Sequence, residues 1–420
     1  MWMFIVIACG EVEPDRAQPL SGPEASVADS GGAAPSDSGD LPQDTGGLDL
    51  SWPELERTAV WVSEHAGYGT GGAFADMDAD GDVDLVVAHG NDMEPGRLTV
   101  FDNREGELEA EASWVSRDPA YYGHLDVGDV NNDGYIDVVV SRFLGAGRFE
   151  EPGGIEVFIN RGGVLEETPS WVVSGFFSFS LALGDMDRDG SLDLAVAVGE
   201  SYENEPDFSR IFLGDGEGGF GEAAVWFTDA PGYSFDVDWA DFDGDGWLDV
   251  AFANQQDGHT IYQNREGIMS ALPIWKAADA DGPYEGNTLA IGDVDGDGTL
   301  DLAVSDNDQL GGVGEVRLWC GPDWELCHTV PQPYASAVAL LDWDGDEDLD
   351  LVYGGWWSAV SILENRGGRL GSSPVWQSTK TDIVVEALDW AEVDGWPGPE
   401  LMVTDWTKNS GNRLWARGDP

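Results

Sequence analysis

Positive charge is scarce in this sequence. Its 420 residues hold 19 Lys and Arg against 81 Asp and Glu, a formal net of −62. No basic patch exists to displace counterions from phosphates, so nucleic acid is excluded as a partner. Cysteine is limited to Cys9, Cys320 and Cys327, too few for a disulfide-dense scaffold or a thiolate metal cluster. The histidines His65, His89, His124, His259 and His328 are scattered, with no zinc spacing or nucleophile motif beside them. No catalytic residue is therefore assigned. The apolar start is shorter than the about 20 residues a membrane-spanning helix needs. Helical periodicity is missing throughout.

What is present is glycine, tryptophan and many short apolar runs, with 57 Gly and 19 Trp. That composition points to an all-β architecture. Residues 1–9, ending Val6-Ile7-Ala8-Cys9, resemble the end of a bacterial lipoprotein signal, although no Lys or Arg precedes the apolar run. On that resemblance Cys9 carries lipid, and the protein is exported to the outer membrane or cell surface, touching the membrane only through the anchor. Residues 10–56 are rich in Pro, Gly, Ser and Asp and have no aromatic before Trp52. Such a stretch cannot bury enough apolar surface to offset chain entropy and is expected to act as a tether.

Residues 57–420 repeat. Asp-rich loops begin at Asp76, Asp129, Asp185, Asp241, Asp293 and Asp342, and a degenerate seventh is read from Asp389, with spacings of 53, 56, 56, 52, 49 and 47 residues. A short apolar stretch precedes each loop. A β-type run follows, then a run with Asn or Asp and Gly, then a piece usually centred on Trp, as at Trp61, Trp114, Trp171, Trp226, Trp275 and Trp376. Four short strands in about 50 residues make a propeller blade, so a seven-bladed β-propeller is expected. The C-terminal run Asn412-Arg413-Leu414-Trp415 matches a third strand, and Thr58–Ser63 can supply the missing fourth. Sharing a blade between the two ends would pair the edges and lock the ring.

The loop pattern D-x-[DN]-x-D-G-x-x-D suits calcium, a hard cation that takes six to eight oxygen ligands. Positions 1, 3, 5 and 9 offer side chains, position 7 offers a carbonyl, and Gly at position 6 permits the turn. The candidate ligands are Asp76, Asp78, Asp80, Asp82 and Asp84 in the first loop and Asp129, Asn131, Asp133, Tyr135 and Asp137 in the second. They are Asp185, Asp187, Asp189, Ser191 and Asp193 in the third, and Asp241, Asp243, Asp245, Trp247 and Asp249 in the fourth. The fifth offers Asp293, Asp295, Asp297, Thr299 and Asp301, and the sixth Asp342, Asp344, Asp346, Asp348 and Asp350. Up to six calcium ions are expected. An EF-hand is ruled out, because it closes with a Glu at position 12, where these loops carry Val or Phe. In the sixth loop Glu347 replaces the Gly, and the seventh has Ala391 at its third position. Both departures are expected to weaken metal binding.

These repeats resemble the FG-GAP/VCBS family, whose blades also build integrin α-chain propellers. The resemblance implies that positions 1, 3, 5 and 9 hold calcium from the hairpin between the first and second strands of each blade.

Three further features are open to more than one reading. Cys320 and Cys327 bracket six residues, and in an exported protein a structural disulfide is expected. The fourth-strand Trp residues either pack between blades or form a glycan platform, and their regularity favours packing. Eight residues before position 1 stand Tyr68, Tyr121, Phe177, Tyr233 and Tyr334, with Tyr284 one residue further away. These aromatics either wedge against neighbouring blades or ring the channel mouth as a ligand platform. The expected function is a calcium-binding surface module for an unknown glycan or protein. The alternative is a polysaccharide lyase or hydrolase on the same scaffold, since fold alone does not decide.

Overall fold

The computed structural model describes residues 55–417 apart from His65, Ala66, Asp279, Leu310 and Asn409. Cys9 and residues 1–54 lie outside the described residues. Each repeat folds into four antiparallel strands, and the described residues form seven such units and no helix. The first strands are Gly69–Ala75, Tyr121–Gly128, Ser178–Gly184, Tyr233–Ala240, Gly286–Gly292, Ala335–Leu341 and Ile383–Ala391. Each packs against the next, and the last packs against the first, so they ring a central channel. Crowding around the axis selects small residues: a Cβ on Gly123 would stand 2.3 Å from the carbonyl oxygen of Phe179 in the next blade.

Second strands such as Asp84–His89, Asp193–Val198 and Asp301–Asp306 are buried at every residue. This explains their unbroken apolar runs: each lies between two neighbouring blades, so both faces need apolar side chains. The core is divided accordingly into seven apolar wedges, each shared by adjacent blades. One joins Val86 and Val100 to Val138 and Phe158. The wedge that completes the circle joins Leu85 and Phe101 of the first blade to Met402 and Leu414 of the last. Each fully buried aliphatic or Phe side chain contributes about 1.5–3 kcal/mol. The fourth-strand Trp residues pack edge-on against third-strand aromatics of the next blade, as in Trp61–Phe101 at 5.2 Å, Trp226–Tyr262 at 4.8 Å and Trp376–Trp415 at 6.2 Å between ring centroids.

Ring closure uses both ends of the domain. Trp61 and Val62 pair with Leu414 and Arg413 as the outermost strand of the last blade. Leu55, expected in the tether, is buried, and the Glu56 N–H donates to the Ala416 carbonyl at 2.9 Å, so the folded unit begins before residue 57. Two blades depart from the common plan. The second carries a long hairpin, Asp137–Gly145 with Arg148–Phe158. The fifth has Cys320 and Cys327 joined by a disulfide between its third and fourth strands.

Candidate metal centres

Each intact loop is wound by its own carboxylates. In the first, the Asp80 N–H donates to Asp76 Oδ1 and Asp78 Oδ1, both at 3.1 Å, and the Gly81 N–H donates to Asp76 Oδ2 at 3.1 Å. The Asp82 N–H then reaches Asp80 Oδ1 at 2.9 Å. The same bonds recur in the loops from Asp129, Asp185 and Asp293. Position 6 is left-handed in all six, at φ 102° for Gly81 and 74° for Glu347. A side chain there costs about 1–2 kcal/mol, which Gly avoids.

Position 9 has a second role that the ligand pattern did not reveal. Asp84 is buried, and its Oδ2 accepts from the Met77 N–H and its Oδ1 from the Asn103 N–H, each at 2.8 Å. Asp137, Asp193, Asp249, Asp301 and Asp350 repeat this staple between loop and third strand. Burial pushes the carboxyls up, to about 6 for Asp84, about 7 for Asp249 and about 8 for Asp350. The second residue after the third strand adds a clamp across the blade boundary. Asn103, Asn160, Asn264 and Asn365 donate from Nδ2 to the position-2 carbonyls of Val393, Met77, Met186 and Val294, each in the preceding blade's loop, at 2.6–2.8 Å.

The donor sets fit a hard cation. Asp76, Asp78 and Asp84 bring one carboxylate oxygen each within 4.8 Å of one another, and so do the groups Asp185, Asp187, Asp193, and Asp241, Asp243, Asp249, and Asp293, Asp295, Asp297. Asp241 Oδ1 is buried with no hydrogen-bond partner. Side chains at position 7 are engaged with the protein: Asp82 Oδ2 accepts from the Glu105 N–H at 2.9 Å, and Arg188 lies over the Trp247 ring at 4.4 Å. That leaves position 7 its carbonyl. Such a site would supply charge compensation among carboxylates that otherwise repel.

The seventh loop has a different register from the one expected. The Val393 N–H donates to Glu400 Oε2 at 2.6 Å, seven residues away, as Met77 does to Asp84 and Met186 to Asp193. Glu400 is therefore position 9, Asp394 position 3 and Glu392 position 1. The spacing from Asp342 becomes 50 residues, in place of the expected 47. Trp396 falls at position 5, so that oxygen is missing and the set does not fit calcium. Asp389 belongs to the first strand, where it accepts from the Phe74 N–H at 3.1 Å.

In this register Asp126, Asp238 and Asp389 share one place, three residues before position 1, and line a channel cavity of about 280 Å³ together with Asp236 and His124. Protein surrounding that narrow space raises all three carboxyls, to about 7 for Asp238 and about 6 for Asp389.

The six predicted aromatics do not form a ring. Tyr284 is buried, with its hydroxyl donating to the Ala278 carbonyl. Phe177 is buried with Phe143 and Phe179, and Tyr121 packs on that cluster. Tyr233 donates to Asn204. Tyr68 packs against Trp406 at 6.1 Å. Tyr334 is 37% exposed and meets Trp356 and Trp357, the latter 58% exposed. Trp356 also contacts Trp406 at 5.7 Å. One aromatic cluster thus spans the sixth, seventh and first blades. Its signal in the sequence is Trp356-Trp357 at the end of a second strand, where the first, third, fourth and fifth blades carry Gly90, Gly199, Gln255 and Asn307 and the second and seventh carry Phe143 and Trp406.

Comparisons with known proteins agree with this organisation. A family model described as FG-GAP-like repeat matches residues 76–140, 196–252 and 241–304. These stretches take in the loops at Asp76, Asp129, Asp241 and Asp293. Integrin alpha-5 of Xenopus laevis is 30% identical over 112 residues, 24% of this chain and 10% of that protein. Integrin alpha-7 of Mus musculus is 35% identical over 95 residues, 21% of this chain and 8% of that protein. The chain thus spans a tenth or less of these relatives. Among solved structures, BBS1N in complex with ARL6DN superposes with a TM-score of 0.54 at 13% identity, over 86% of this chain and 98% of that one, a likeness of fold alone.

Proposed function

From a chain that carries FG-GAP-like repeats, we propose a calcium-stabilised propeller that works as a non-catalytic binding or adhesion module outside the cytoplasm. The carrying observation is the series of loops that assemble all-oxygen donor sets on one ring scaffold. The disulfide Cys320–Cys327 supports an oxidising compartment, and lipidation at Cys9 would tether the domain there. Second strands run away from the loops, so the exposed Tyr334 and Trp357 mark the opposite face, where we place the contact with a glycan or protein. Rings that expose an apolar face beside a polar edge suit contact with a glycan or protein. Arrays of glycans and extracellular proteins, probed with calcium and with chelator, test the reading. Binding is expected in calcium and lost in Trp357→Ala at unchanged melting temperature. A ligand held equally well by Trp357→Ala would remove this face from the proposal.

A further inference from the structure

The fifth blade lacks the amide clamp that Asn103, Asn160, Asn264 and Asn365 supply elsewhere. Besides position 2 of the preceding loop, those amides reach position 8 of their own, donating to the carbonyls of Val83, Ile136, Leu248 and Leu349 at 3.0–3.1 Å. In the fifth blade Gly321 stands at this place, two residues after Trp319. A side chain does not fit there, since a Cβ would stand 2.8 Å from the carbonyl oxygen of Leu300, position 8 of the fifth loop.

Trp324 does the same task from another part of the chain. Its Nε1–H donates to the Leu300 carbonyl at 3.1 Å. Its ring packs edge-on against Phe242, position 2 of the preceding loop, at 5.8 Å between centroids. One side chain thus reaches the same two loops that each asparagine joins. Trp324 is left-handed, at φ 47°, a conformation that persists only where the surroundings impose it. The bridge between Cys320 and Cys327 closes the turn that carries it. Cys320 Sγ also comes within 4.8 Å of carboxylate oxygens of Asp295 and Asp301, positions 3 and 9 of the fifth loop. The next residue, Gly321, donates its N–H to Asp301 Oδ1 at 2.8 Å.

We propose that the Cys320–Cys327 bridge and Trp324 form a redox-dependent clamp that positions the fifth loop for its cation. With the bridge closed, Trp324 holds Leu300 and Gly321 holds Asp301. Cys327 is exposed, so a dithiol can open the bridge by thiol–disulfide exchange. The dithiol becomes a disulfide, and Cys320 and Cys327 take up its two electrons and two protons as thiols. Trp324 then leaves its left-handed conformation, Leu300 loses its donor, and the carboxylates of the fifth loop are no longer held together. The loops from Asp76 and Asp129 are clamped by asparagine amides and have no such dependence. One site of the ring thereby follows the oxidation state of its surroundings.

The inference rests on the calcium reading of the loops, and the experiment tells the two apart. Full-length protein is titrated with calcium in equilibrium dialysis when oxidised, when reduced with dithiothreitol and when reoxidised. Reduction is expected to weaken one site by about 10–100-fold, the usual effect of losing groups that orient metal ligands, and reoxidation to restore it. Cys320→Ser with Cys327→Ser should match the reduced protein and ignore the reductant. Trp324→Phe keeps a ring but loses the N–H, and should weaken one site by a smaller factor with the bridge intact. Asp295→Ala removes the fifth site, so reduction should cost it no further ion. Unchanged affinities on reduction, or an ion lost on reduction of Asp295→Ala, would overturn the proposal. A protein that binds no calcium in any state would sink the reading of the loops. Hydrogen exchange would then still decide whether the bridge holds the hairpin. The Val294 and Gly321 amides, both bonded to Asp301, should lose protection on reduction, and equal protection in the two states would count against the clamp.

Discussion

The loop from Asp185 and the loop from Glu392 share one backbone plan and differ in how they answer crowded carboxylates. Both staple position 2 to position 9, through Met186 with Asp193 and Val393 with Glu400. In the first, Asp185, Asp187 and Asp193 converge with no positive side chain among the groups that set the Asp193 carboxyl, which is pushed up to about 6. In the second, Trp396 stands where the first has Asp189, burial raises the Glu400 carboxyl to about 7, and burial also raises that of Glu392, which Arg417 offsets only in part. The difference teaches that the hairpin fold is specified by the staple, while the remaining carboxylates are a separate electrostatic layer. An external ion can complete that layer in the loop from Asp185, while the loop from Glu392 lacks the oxygen at position 5.

Metal removal should separate the two kinds of loop most strongly. A ligand that binds only the native state stabilises it by about 2.7 kcal/mol per site at a hundred times its dissociation constant. Several sites acting together should make the melting temperature fall markedly in chelator and recover in millimolar calcium. Calorimetry giving one melting temperature under both conditions would erase the distinction. At the level of single residues, Asp187 and Asp394 both stand at position 3. Asp187→Ala should remove about one equivalent of bound calcium, and Asp394→Ala should remove none, as measured by equilibrium dialysis.

The parts legible from sequence were those that recur with little tolerance: the fully buried second strands, the Asp pattern and the matching ends that close the ring. The seventh register was not legible. Asp389-Trp390 imitates the start of the sixth loop, Asp342-Trp343, and only the bond between Val393 and Glu400 places the loop three residues later. Which of the six aromatics reach solvent was not legible either. First strands carry bulges, between Gly69 and Gly71, Ser178 and Ser180, and Ser234 and Asp236, among others. These bulges recur at one register, so exposure is decided by each blade's own neighbours: Phe143 and Phe179 bury Phe177, while Tyr334 stays 37% exposed. The clamp of Asn264 onto Met186 needed two adjacent blades in contact, which no single repeat shows.

That clamp gives the next test of the comparison. Asn264 also donates to the Leu248 carbonyl, and it is fully buried. Asn264→Ala leaves two carbonyls without that donor and should cost about 1–3 kcal/mol in denaturant titration. The third and fifth blades carry Gly214 and Gly321 at this place, so they lack the side-chain amide that this substitution removes. A smaller gain is expected at the sixth loop. Glu347 is left-handed at φ 74°, and Glu347→Gly should add about 1 kcal/mol of stability and tighten calcium at that loop.

The smallest effect contrasts the loops with the channel, where a proton takes the part that we propose for a metal ion in the loops. Asp238 reaches the lumen, and the protein around it, with Asp126 and Asp236 nearby, raises its carboxyl to about 7. A native value above the unfolded one means that the folded state binds the proton more tightly. The penalty for ionising Asp238 is thus absent below about pH 4, grows between about 4 and 7, and is complete above that. Asn cannot ionise, so Asp238→Asn should match wild type near pH 4 and melt slightly higher at pH 8. The difference between the two proteins isolates this group from the loop carboxylates, which titrate in both. Parallel melting curves across that range, with no widening gap toward high pH, would show that the channel leaves Asp238 as free to ionise as it is in the unfolded chain.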